Sequence, residues 1–226
     1  MSARLVPAAS NALMLKHLAS EGFDSVYLDN RLLSTQLLGT RDTALLSASL
    51  YLHYVQTLSA STSMNVIADL CLDETADFSC QLTALKNSGC TAVVVSDAGI
   101  TNTTLLNQVL LNISKAFPTD ELELIVKLEG FVKYGLNELE TRIGIAKDNG
   151  IDHIIISNIT DDDLVIIKAV QNTAVISLII DNAKISYYSA RQFNPKFILD
   201  TYHVYQGLVQ SAGSISRNMI LKLFIG

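Results

Sequence analysis

LELIVKLEGFVKYGLNELETRIGIAKDNGIDHIIISN, residues 122–158, decides how the rest of the chain is read. The apolar run LELIV is too short for a helix and passes into Lys127 and Glu129, so it reads as a buried strand with a polar end. A helix follows, capped by Asn137 and stopped at Gly150, with Leu139, Ile143 and Ala146 recurring at helical spacing on its apolar side. Glu138, Glu140, Arg142 and Lys147 take the opposite side. IDHIIIS is then nearly solid hydrophobic, as a parallel strand covered by helices must be. The stretch is one complete βαβ unit, and Lys127 and Glu129, two apart on one strand, point the same way.

The same punctuation recurs along the chain. EGFDSVYLD, SGCTAVVVSD, NGIDHIIISN and FNPKFILD each run from a glycine or proline into a hydrophobic strand, while RLVPAAS, MNVIAD, LELIVKLEG and TAVISLIID supply the others. Counted in order, the strands fall at about 4–9, 24–28, 64–69, 91–96, 122–128, 152–157, 174–180 and 196–200, with helical segments between. Eight alternating units predict one α/β domain over residues 1–226, a single (β/α)8 TIM-type barrel, rather than an open doubly wound sheet. In a barrel the strand C-termini form the rim where a ligand sits. Here the rim comprises Ser10 and Asn11; Asp29, Asn30 and Arg31; Asp69 and Cys71; Ser96 and Asp97; Lys127 and Glu129; Ser157 and Asn158; Asp181 and Asn182; and Asp200 with His203.

Composition narrows the function classes. With 49% hydrophobic and 17% charged residues the chain can bury a large core, and a formal charge of -6 without a Lys/Arg cluster argues against a nucleic-acid partner. Cys71, Cys80 and Cys90 make no CxxC and no even-numbered framework, which points to a reducing compartment and away from zinc. Mean hydropathy is positive. No apolar run approaches the ~20 residues of a membrane span, however, and MSARLVPAAS has no signal-peptide core, so the expected setting is the cytoplasm with no membrane partner. No GxGxxG, P-loop, GxSxG or HExxH occurs, leaving nucleotide-dependent, serine-hydrolase and zincin chemistry without support. His53 reads as a surface or packing residue on a helix and His153 as a structural residue opening a strand. The run of acids at 161–163 suits a helix N-terminus.

Four stretches in fixed order carry a resemblance to a known family. They are ASEGFDSVYLDNRLLSTQLLGTRD, NVIADLCLDE, VVVSDAGITNT and KLEGFVKYGLNELETRIGIAKDNGID. Over about residues 5–210 the chain resembles the phosphoenolpyruvate mutase/isocitrate lyase superfamily, in which Mg²⁺ grips the carboxylate and the keto or enol oxygen of a small 2-oxo acid. The resemblance places the direct metal ligand at Asp69 and puts Cys71 and Ser96 where outer carboxylates belong, with Asp97 matching the second acid of a Glu-Asp pair. Lys127 stands for an anion-clamping arginine and keeps its charge without the bidentate fork. Asp29, Asn30 and Arg31 replace an anion-binding turn, Ser157 replaces a histidine, and Asn102 and Thr103 keep the Asn-Ser character of a shortened mobile loop. Asp42, Glu129 and His203 match family positions.

The resemblance therefore implies catalytic roles for Asp69, Lys127 and Glu129. It implies substrate contacts from Asp29, Asn30, Arg31, Asp42, Asn102, Thr103, Ser157 and His203, and a metal set of Asp69, Asp97, Ser96 and Cys71. Mg²⁺ is the implied cofactor, but an aspartate with a thiol and a hydroxyl would hold it poorly, although Asp73 and Glu74 lie in the same loop. The expected function is a divergent barrel binding a small 2-oxo or phospho-carboxylate and making or breaking a C–P or C–C bond through a metal-stabilised enolate. The alternative is a catalytically inactive homologue acting as a binding or assembly partner. Family members assemble by exchanging their last helix, so a homo-oligomer is expected.

Overall fold

A computed structural model describes residues 3–70, 78–116 and 122–213. Its strands are β1 (Arg4–Pro7), β2 (Ser25–Leu28), β3 (Asn65–Asp69), β4 (Cys90–Ser96), β5 (Glu123–Leu128), β6 (His153–Ile156), β7 (Val175–Ile180) and β8 (Phe197–Asp200). All lie within a residue or two of the expected runs. The helices are α1 (Ala12–Ser20), α2 (Asn30–Leu38), α3 (Ala48–Ser59), α4 (Phe78–Asn87), α5 (Thr103–Ala116), α6 (Phe131–Asp148), α7 (Asp161–Ile167), α8 (Tyr187–Phe193) and α9 (Tyr202–Gly213). Each pair of neighbouring strands is parallel, from β1 through β8 and back down to β2. A parallel bridge between Ala8 and Tyr27, with the Ala9 N–H donating to the Tyr27 carbonyl at 3.0 Å, joins the first strand to the second. The architecture is a (β/α)8 barrel.

Strand alternation sorts the side chains into two cores. Val6, Tyr27, Ile67, Val94, Ile125, Ile155, Ile179 and Leu199 fill the interior of the ring. Their sequence neighbours, such as Val26, Val93, Val126 and Ile154, pack outward against the helices. Both faces are thus covered, and the strands read as continuous hydrophobic runs for that reason. Every inward residue at the C-terminal end of a strand meets the mouth.

The deciding stretch differs from its sequence reading at the start of its helix. The helix between β5 and β6 opens at Phe131, and Gly135 interrupts it with φ 73° and ψ −174°, so one short turn precedes the long amphipathic part. That backbone region is open to glycine almost alone. The helix ends as expected, with Gly150 at φ 78° immediately beyond it.

Candidate functional site

Asp69 ends β3 two residues after inward Ile67, and Lys127, one residue before the end of β5, follows inward Ile125 by two, so both side chains enter the ring from above. Each is only 2% exposed. The Tyr27 hydroxyl donates to Asp69 Oδ1 at 2.6 Å, and the Asn30 N–H donates to Asp69 Oδ2 at 2.8 Å. Lys127 Nζ lies 3.4 Å from the Tyr27 oxygen, 3.9 Å from Asp69 Oδ1 and 3.2 Å from Glu129 Oε1. Glu129 closes the group by accepting from the Ser96 hydroxyl at 2.6 Å and pairing with the Arg31 guanidinium. Asp69, Ser96, Lys127, Glu129 and Arg31 thus meet in one network across four strand ends.

The electrostatics follow from burial and pairing. Burial pushes the Asp69 carboxyl up to about 6 against the pull of Lys127, and nearby Asp29 adds to the rise. Burial would also raise Glu129, yet Lys127 and Arg31, helped by the Ser96 hydroxyl, outweigh it and hold that carboxyl at about 2. Burial disfavours the Lys127 ammonium, but Asp69 and Glu129 more than restore it, so its pKa stands above the ordinary lysine value. Burial first and the Asp69 charge second keep Tyr27 protonated, which suits its role as a donor.

The remaining sequence candidates are placed as follows. Asp29 accepts from the Leu32 N–H at 2.8 Å as the N-cap of α2. Asp42 caps a short 3-10 turn at Thr43–Leu45. Asn102 accepts from the Leu105 N–H at the start of α5, where Thr103 is the first residue. Ser157 is buried at the end of β6, and its hydroxyl finds no partner among the described residues. His203 pairs with Asp200 at 3.1 Å and stacks on Tyr187, apart from the network. Asp97 turns outward because Ser96 turns inward: it accepts from the Glu129 N–H at 2.7 Å and from Arg142 at 2.9 Å. Cys71, Asp73 and Glu74 lie outside the described residues.

Two contributors escaped the sequence reading. Tyr27 hides in the apolar run SVYL, although its spacing of two from the strand-end Asp29 sets it inward. Arg142 was assigned to the solvent side of its helix, and the structure corrects this. It is 2% exposed, pairs with Asp97 and Glu138, and lies 4.7 Å from the centre of the Tyr134 ring. The signal was present: position 142 falls three after Leu139 and four before Ala146, which is the buried face.

A second polar cluster occupies the opposite end of the barrel. His153 Nδ1 lies 2.7 Å from Glu123 Oε1, and its Nε2 lies 2.7 Å from Ser177 Oγ. This order resembles a hydrolytic triad, but Ser177 is 0% exposed and its oxygen already accepts the Phe197 N–H at 3.1 Å. A nucleophile needs approach by a substrate; here the cluster is a polar plug at the end that barrels use for stability.

Comparison with solved structures now bears on the fold. The chain superposes on 2,3-dimethylmalate lyase with a TM-score of 0.81 at 19% identity, covering 98% of this chain and 82% of that one. It matches the phosphoenolpyruvate phosphomutase of Streptomyces platensis subsp. rosaceus with a TM-score of 0.81 at 16% identity, over 98% and 84% of the two chains. The fold is that of the phosphoenolpyruvate mutase/isocitrate lyase superfamily. A third protein of this superfamily fold, a phosphonopyruvate hydrolase in complex with oxalate and Mg²⁺, gives a TM-score of 0.79 at 16% identity over 94% of this chain and 80% of that one. No protein-family model and no curated protein matches the sequence.

Magnesium, which the superfamily fold brings to mind, can be tested against the residues present. Among the described residues no three His, Cys, Asp or Glu side chains come together to hold a metal ion. Both Asp69 oxygens already accept protein donors, and Asp97 is committed to Arg142. The Lys127 ammonium sits between Asp69 and Glu129. At an effective dielectric of ~20 and a separation of ~4 Å, an ammonium and a divalent cation repel by several kcal/mol. The described residues do not fit Mg²⁺.

Proposed function

We propose that this chain is a divergent member of the phosphoenolpyruvate mutase/isocitrate lyase superfamily. In this reading it binds a small 2-oxo or phospho-carboxylate at the C-terminal mouth of its barrel and does so without the metal-enolate step. One observation carries the proposal: the ammonium of Lys127, 3.9 Å from Asp69 and 3.2 Å from Glu129, already occupies the space between the two buried carboxylates of the mouth. An enolate needs a concentrated positive charge free to meet the developing oxyanion. Lys127 is instead spent on two carboxylates of its own chain. A reducing, cytoplasmic setting and assembly into a homo-oligomer belong to the same proposal.

A second reading, an active mutase or lyase working through a metal-bound enolate, draws support from the convergence of Asp69, Ser96, Lys127 and Glu129 on one mouth. Titrating Mg²⁺ or Mn²⁺ while following the thermal midpoint separates the two. The proposal expects a flat response to millimolar metal. A midpoint that climbs as RT ln(1 + [L]/Kd) overturns it in favour of the enzyme.

A further inference from the structure

Over the C-terminal ends of β4 to β7 opens a cleft of about 1090 Å³, whose lining includes Glu129 and Asn158 but neither Asp69 nor Lys127. Lys127 Nζ lies only 3.2 Å from Glu129 Oε1, so the buried network begins directly behind a residue of the cleft wall. From the β8 side, α9 lies against the interior core through Val204, Tyr205 and Leu208. Access to Asp69 and Lys127 is therefore decided at Glu129.

Arg31 covers that approach. It stands in the first turn of α2, just after β2, whereas Glu129 follows β5, and β3 and β4 lie between those strands in the ring. Its guanidinium pairs with Glu129 Oε2, so the side chain crosses the mouth. Side-chain exposure falls from 30% at Arg31 to 7% at Glu129 and 3% at both Asp69 and Lys127, which makes the guanidinium the outermost member of the network. The crossing is made by a long, rotatable side chain and not by backbone. If Arg31 swings away, Glu129 keeps the Ser96 hydroxyl and the Lys127 ammonium, while the guanidinium passes into water. Neither arrangement strands a buried charge, so the chain can hold both.

We propose that Arg31 is a latch: paired with Glu129 it shuts the Asp69 and Lys127 network off from the cleft, and swung into solvent it opens the one to the other. The structure holds the closed, autoinhibited state. The latch is independent of which ligand the mouth takes.

The test places a thiol behind the latch by Ser157→Cys. Ser157 follows inward Ile155 by two residues, is buried, and is absent from the cleft lining. Its hydroxyl has no partner among the described residues, so a thiol there forfeits no hydrogen bond. The full chain carrying this change is treated with iodoacetamide, and alkylation is read at each cysteine by peptide mass spectrometry. Exposed Cys80 sets the reference rate, and buried Cys90 reports unfolding. With Arg31 in place the thiol at position 157 is expected to be as protected as Cys90. Arg31→Ala and Arg31→Gln should each speed its alkylation about tenfold relative to Cys80 and leave Cys90 unchanged. Continued protection in both Arg31 variants, rapid alkylation with Arg31 in place, or alkylation that rises in step with Cys90 would each overturn the latch.

Discussion

Lys127 Nζ lies 3.9 Å from Asp69 Oδ1, and the Tyr27 hydroxyl bridges the two, donating to the carboxylate at 2.6 Å while accepting from the ammonium at 3.4 Å. The barrel mouth therefore holds its own counter-ion.

Removing that counter-ion should convert the mouth into a cation site. Lys127→Met leaves Asp69 and Glu129 buried without their shared partner, which should cost about 3–5 kcal/mol. Oxygen atoms of both carboxylates and of Tyr27 then surround the vacated position. Mn²⁺ or Mg²⁺ is expected to raise the thermal midpoint of this variant and leave the wild type unmoved. A metal response of equal size in both proteins would refute the tethered-cation account.

The Tyr27 hydroxyl can be tested alone. Tyr27→Phe keeps the ring in the interior core but strips one donor from Asp69, and should destabilise by about 1–3 kcal/mol. The change should lower the denaturant midpoint without altering the slope of the transition.

Arg142 and Asp97 invite a double-mutant cycle. The pair is 2.9 Å apart with both side chains buried. Arg142→Met alone should cost about 3–5 kcal/mol by stranding Asp97. Adding Asp97→Asn should recover part of that loss, giving a coupling energy of about 0.5–3 kcal/mol. Strict additivity would mean that the ion pair does not operate as drawn.

Two buried groups give opposite pH signatures. Burial first, then Lys196, lowers the pKa of His153 below 6.5, despite its hydrogen bond to Glu123. Unfolded chains then bind the extra proton, so the stability from His153 is complete above 6.5 and is lost as the pH falls towards the folded pKa. Asp69 runs the other way: raised from 3.8 to about 6, its contribution is complete below 3.8 and is lost as the pH rises through about 6. Urea unfolding across this range should show His153→Gln gaining on the wild type as the pH drops below 6.5. Parallel curves for the two proteins would rule out this role for His153.

Gly135 tests the kink within α6. Its φ of 73° with ψ −174° lies outside what a residue with a Cβ tolerates, so Gly135→Ala should cost about 1–3 kcal/mol. A Gly135→Ala protein of wild-type stability would contradict the kink.

The eight strands were legible because each is a short apolar run ending at a polar residue, and burial on both faces leaves that signature locally. Convergence of Asp69, Ser96 and Lys127 was legible too, since inward parity at strand ends follows from the period of two. Their partners were not. Arg31 and Glu129 stand 98 positions apart, and Ser96 and Glu129 33 apart, so nothing local pairs them. Tyr27 looked like one more core residue, and Arg142 like one more surface charge on a helix.

The sequence by itself determined the order of strands and helices, their inward and outward faces, and which polar residues reach the mouth, because these depend on periodicities of two and 3.6 that act within each element. Only the tertiary structure decided what those residues do with one another. Closing the ring brings β2, β3, β4 and β5 to one rim, and there the charges of Asp69, Glu129, Lys127 and Arg31 neutralise each other through distances that no single element contains.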